Sequence, residues 1–171
     1  MTDFSIVGGV AEIHDPELYR TWLDRPDYIA ALAACPDPAA AAVKRVVLEF
    51  QAELGRMLRD RAVDERIREI MERYVAEDYV QHDPNAPGNG RELLIEFLRH
   101  VPLEGGAPPP VVSVVVEDEL ACVMMRQPTP DPVIPGGTYD WHILSIYRVT
   151  DGRLSEHWGA FQKLAPGQAP R

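Results

Sequence analysis

The feature that most constrains this chain is the place where its hydrophobic period changes. Up to about residue 100 the apolar residues recur at helical spacing. From Val111 onward they come in β-branched blocks separated by turns. Helices first and an antiparallel meander after them segregate the two element types, which predicts an α+β fold. A curved antiparallel sheet with helices on its concave face would form a cone with a pocket at its open end.

The helical part carries its own punctuation. Asp15-Pro16 and Asp37-Pro38 each place a capping side chain before a proline at the first helical position, and Asp24-Arg25-Pro26 repeats the pattern. These starts predict short helices over Glu17 to Leu23 and on to about Ala34, then a long one carrying Val43, Val46, Val47, Phe50, Leu54, Met57 and Leu58 on one face. A fourth helix is predicted from about Asp64 to Asp78, with Ile67, Ile70, Met71, Tyr74 and Val75 inward. Residues 78–90, DYVQHDPNAPGNG, read as a loop, and Arg91 to His100 as a further helix.

Four strands are predicted after that: Val111 to Val116, buried on both faces; Leu120 to Arg126; Tyr139 to Val149; and Arg153 to Gln162 after the turn Thr150-Asp151-Gly152. Residues 128–137, with four prolines and two glycines, read as a long exposed loop, of the kind that forms a lid or rim. The organisation expected is an acidic helical extension (1–37), a cone domain (38–163) and a flexible tail (164–171).

Composition narrows the function classes. Hydrophobic residues make up 46%, enough for a core. No apolar run reaches the roughly 20 residues needed to span a bilayer, so no membrane partner is expected. The net charge of −10 opposes a nucleic-acid partner. Half of that charge lies in residues 1–37, which hold seven acidic side chains against Arg20 and Arg25. Cys35 and Cys122 form no disulfide framework, and the amino terminus lacks the basic region of a secretion signal, so the expected location is cytoplasmic. No G-x-S-x-G, Walker or C-x-x-C motif occurs, and Gly88-Asn89-Gly90-Arg91, not following a predicted strand, is no dinucleotide fingerprint.

Two segments in order, EDYVQHDPNAPGNGRE (77–92) and HILSIYRVTDGRLSEHW (142–158), preceded by apolar helices, resemble the SnoaL-like branch of the nuclear transport factor 2-like superfamily. The resemblance covers about residues 40–163. It implies the cone fold with an apolar pocket and a homodimer. The functions it implies are those of polyketide cyclases, ketosteroid isomerases and epoxide hydrolases. Two acidic positions of the family pattern are replaced here. Ser145 stands where the family's general acid/base Asp is found, and Gly159 follows Glu156-His157-Trp158.

With those carboxylates gone, the histidines become the candidate catalytic groups: His82, His142 and His157, all in segments that the resemblance places around the pocket. An imidazole with an ordinary pKa near 6.5 is a sound general base. His14 and His100 read as surface residues. Tyr79, Gln81, Trp141, Ser145, Tyr147 and Trp158 are candidate substrate-binding residues. The wider aromatic set (Tyr74, Tyr139 and Phe161 added) suits either core packing or a flat apolar ligand. Side-chain alternation sets a limit: if Ser145 faces the pocket, His142 faces away.

The resulting expectation is proton transfer on an apolar carbonyl compound, without a cofactor. Two alternatives stay open. One is a non-catalytic binding domain for an apolar small molecule; the other is a metal-assisted enzyme using His82, His142 and His157, with Asp83 or Asp140 as companions.

Overall fold

The computed structural model describes residues 2–100, 107–160 and 163. The chain order is β1 (Phe4–Val7), β2 (Val10–Ile13), α1 (Leu18–Thr21), a 3₁₀ turn at Trp22–Asp24, α2 (Pro26–Ala33), α3 (Pro38–Arg59), α4 (Val63–Tyr74), β3 (Val75–Gln81), α5 (Arg91–His100), β4 (Val111–Glu117), β5 (Leu120–Pro130), β6 (Thr138–Thr150) and β7 (Arg153–Gly159). The strands form one curved, unclosed sheet in the order β1-β2-β4-β5-β6-β7-β3. All neighbours are antiparallel except β3 and β7, which run parallel. The α+β cone is as the sequence predicts. The final strand stops at Gly159, and the predicted continuation through Phe161 to Gln162 and the tail 164–171 lie outside the described residues.

Helix α3 is the spine. Asp37 caps it by accepting from the Ala39 N–H, with Pro38 in the first turn, and its buried side chains Val47, Leu48, Phe50 and Met57 pack toward β4 through β7. Helix α4 packs on β3 and β7, and α5 on β3. The sheet's inner face is read from burial: Ala121 and Val123 on β5, Ser145, Tyr147 and Val149 on β6, and Leu154 and His157 on β7 are buried. On the outer face Val115, Leu144 and Ile146 are exposed. The expectation that the first predicted strand is buried on both faces holds for Val111 to Val114, which are buried in succession, and fails at Val115.

Three sequence expectations are corrected. Helix α4 ends at Tyr74, and Val75–Gln81 is a strand, because it finds β7 as a parallel partner. Residues 88–91 therefore follow a strand after all, across the loop 82–90. That loop folds back over β3: the Gly90 N–H donates to Tyr79 O at 2.7 Å, and the Gln81 N–H to Asn89 Oδ1 at 3.0 Å. Pro128 and Pro130 belong to β5, beyond the last pairing with β4 at Met125, where a proline breaks no ladder. The exposed loop shrinks to 131–137, at the tip of a two-stranded β5–β6 ribbon.

The segment 2–37, expected as a helical extension, is only partly helical. Phe4–Val7 and Val10–Ile13 make a hairpin through Gly8-Gly9, both at positive φ of 57° and 82°, and this hairpin extends the sheet beyond β4. Trp22, Leu23 and Tyr28 are within 1% of full burial. Trp22 Nε1 donates to Pro108 O at 2.9 Å, and the Tyr28 hydroxyl to Val111 O at 2.8 Å.

Candidate functional site

The ladder across β3, β7 and β6 sorts the candidate residues onto two faces. Gln81 pairs with His157, and His157 with Tyr147, so these three side chains share the inner face. The next residue along each strand points the other way, placing His82, Trp158 and Ile146 on the outer face.

The inner cluster is dense and polar at its centre. The Tyr147 and His157 rings stack at 4.6 Å between centroids. His157 Nδ1 lies 3.0 Å from Gln81 Oε1, which also accepts from the Asp83 N–H at 3.2 Å. A backbone N–H only donates, so the atom facing it is the amide oxygen. That oxygen therefore accepts from Nδ1–H as well, and the imidazole tautomer carries its lone pair on Nε2. Gln81 Nε2 then donates to the Tyr79 hydroxyl at a long 3.5 Å. Tyr79 and Ser145 are both buried. Behind them Phe50 meets Tyr147 edge-on at 6.1 Å.

Burial sets the electrostatics here. It pushes the His157 imidazole down to about 4, His82 adding to the fall and the Asp83 carboxylate opposing it. His157 is thus neutral at pH 7. Burial also raises the Tyr147 hydroxyl to about 12, against hydrogen bonds from Ser145 and Gln51, and raises Tyr79 further, with nearby Tyr147 as the second cause.

Gln51 is the site residue that the sequence reading missed. Its Nε2 donates to the Tyr147 hydroxyl at 2.8 Å. The signal was present in the spacing: Val47, Gln51, Leu54 and Leu58 follow the helical period, so an amide occupies a position where an apolar side chain belongs.

On the outer face the histidine is in a different setting. His82 stacks on Trp158 at 4.8 Å with the planes 5° apart, and its Nε2 lies 2.8 Å from Glu156 Oε1. Arg148 Nε donates to Glu156 Oε2 at 3.0 Å. The His82 ring and Arg148 hold the Glu156 carboxyl below its usual range. With the His82 N–H donating to His157 O, this arrangement ties β3 to β7.

His142 joins neither cluster. It pairs with Arg126 on the outer side of the ribbon, past the last β6–β7 pair at Ser145 and Gly159, and is exposed, as the alternation argument requires once Ser145 faces inward. Trp141 has inward parity but lies on the same exposed ribbon, 43% accessible. The three histidines are not assembled into one site, and among the described residues no three His, Cys, Asp or Glu side chains gather to hold a metal ion. A cavity of about 410 Å³ lies elsewhere, between Pro16–Arg20 and the base of the ribbon at Gln127 and Pro128.

This architecture has relatives. A nuclear transport factor 2-like protein of Anabaena variabilis superposes with a TM-score of 0.52 at 15% identity, over 71% of this chain and 90% of its own. A protein of Jannaschia sp. CCS1, provisionally described as a SnoaL-like polyketide cyclase, superposes with a TM-score of 0.50 at 18% identity, over 74% of this chain and 91% of its own. At these identities the likeness concerns the fold. No curated protein sequence matches the chain. The sequence profile of the SnoaL-like domain matches residues 54–157, which run from the last turns of α3 to His157 and take in Tyr79, Gln81, Ser145, Tyr147 and His157, with Gln51 just outside. The chain therefore belongs to the SnoaL-like domain family.

Proposed function

We propose that the inner cluster is the active site of a small-molecule enzyme of the cyclase or isomerase kind, in which His157 moves a proton next to a carbonyl group. The observation that carries this reading is the fixed tautomer of a neutral, buried histidine: Gln81 and Asp83 commit Nδ1 to donating, so Nε2 is the basic atom. His157 takes over the role that the family pattern gives to an acidic residue at the position of Ser145. Tyr79 and Tyr147 flank it, and their hydroxyls suit stabilisation of an oxygen that gains charge as the proton leaves. Gln81 positions the base, and the aromatic surroundings suit an apolar substrate. Acid–base chemistry of this kind requires no organic cofactor.

The test is solvent deuterium exchange at the α-carbon of a simple enolisable aryl ketone, 2-tetralone, followed by proton NMR. The native protein should accelerate exchange, with a rate flat in pH above about 5, since the base is already neutral there. His157→Ala should lose about 100-fold or more of the acceleration. Equal exchange by the two proteins would reject His157 as the base.

A further inference from the structure

The two buried phenols of the cluster are hydrogen-bonded in the same sense. Gln81 Nε2 donates to Tyr79, and Gln51 Nε2 donates to Tyr147. An amide nitrogen can only donate. Each phenol oxygen is therefore used as an acceptor and keeps its own proton for a different partner. On Tyr147 the Ser145 hydroxyl is a second hydrogen-bonding partner, and like Gln51 it opposes the rise of the phenol, as a donor does.

The two hydroxyls are near enough to sense each other, since charge on Tyr147 would disfavour charge on Tyr79. Both stand beside His157: the Tyr147 ring stacks on it, and Tyr79 is joined to it through Gln81. Gln51 and Gln81, the two amides on the phenols, are half-buried, whereas both phenols are buried. An amide on the core-facing stripe of α3 costs free energy unless it is satisfied, and its partner is this phenol.

We infer that Tyr79 and Tyr147 form a paired hydrogen-bond donor for one ligand oxygen, and that Gln51 is a positioning residue that turns the Tyr147 proton toward that oxygen. The inference rests on reading the inner cluster as a small-molecule site, and it names the ligand class: a planar apolar compound with a strongly accepting oxygen, such as the enolate formed from a ketone. His157 becomes an imidazolium as it takes the α-proton, while the two phenols supply hydrogen bonds to the oxygen itself.

The test uses 4-nitropyridine N-oxide, a planar chromophore whose oxygen accepts strongly while the molecule carries no net charge; nitrobenzene is the shape control. The native protein should bind the N-oxide more tightly than nitrobenzene and shift its absorption band to shorter wavelength. Gln51→Glu presents only acceptors to Tyr147 and so should capture its proton. Affinity should fall about tenfold or more, while Gln51→Met, which leaves the proton unclaimed, should lose less. Tyr147→Phe should match the Gln51→Glu loss, and combining the two should add little.

Equal binding by native protein and Gln51→Glu would mean that Gln51 accepts the Tyr147 proton instead, and would overturn the inference. So would native protein that binds the N-oxide no better than nitrobenzene. These outcomes are separable from failure of the base assignment, because N-oxide binding reads the donors and deuterium exchange reads the base.

Discussion

Neutralising the pH response of His157 should flatten the acid side of the protein's stability curve. The imidazole sits near 4 in the folded chain against 6.5 when exposed. Above pH 6.5 neither state takes the proton, and the fold keeps its full stability from this source. As pH falls from 6.5 toward 4 the unfolded chain protonates first, so stability is lost across that window and the loss is complete below it. The gap corresponds to about 3 kcal/mol in full, and about 2 kcal/mol is already lost by pH 5. The assay is urea unfolding at several pH values between 7.5 and 4.5 for the native protein and His157→Phe, which keeps a ring against Tyr147 but takes no proton. Carboxylates such as Glu156, which lose their own contribution at the acid end, are common to both proteins and cancel in the difference. The native protein should lose about 2 kcal/mol more than the variant between pH 7 and 5. A difference that stays flat over that range would refute the buried, neutral histidine and with it the tautomer argument.

Two further perturbations test how residues 1–37 are built in. A methyl group at Gly55 would lie 2.6 Å from Leu23 Cδ2 and 2.9 Å from Pro108 Cγ, so Gly55→Ala should destabilise by about 1–3 kcal/mol; an unchanged urea midpoint would show that Leu23 yields easily. Trp22→Ala should cost about 3–5 kcal/mol, because the ring is buried and its Nε1 is bonded to Pro108 O. A loss under about 1 kcal/mol would mean that the segment is an appendage rather than core.

Much of the fold was legible because local chemistry and tertiary context agree. Asp37-Pro38 announced α3, and the β-branched runs after Val111 announced the meander. Val75–Gln81 was misread because Ala76, Glu77 and Asp78 carry no strand preference of their own; pairing with β7, some 80 residues on, decides it. The hairpin of β1 and β2 was missed although Gly8-Gly9 between short runs is a turn signal. Of the site, alternation alone ordered Ser145 against His142. The separation of His82 from His157 depended on knowing that β3 is a strand, which a helical reading of that segment concealed.

The hydrogen bonds that hold the amino-terminal segment also bear on the order of events during synthesis. Tyr28 reaches its acceptor 83 residues later, and Trp22 reaches its acceptor 86 residues later. A growing chain therefore carries two large aromatic side chains whose polar atoms wait for β4 and the residues leading into it. Helix α3 offers them an early apolar surface, but the sheet edge that β2 joins does not yet exist. The first strands made are among the last that can be placed, which puts the hairpin at the end of folding rather than at its start.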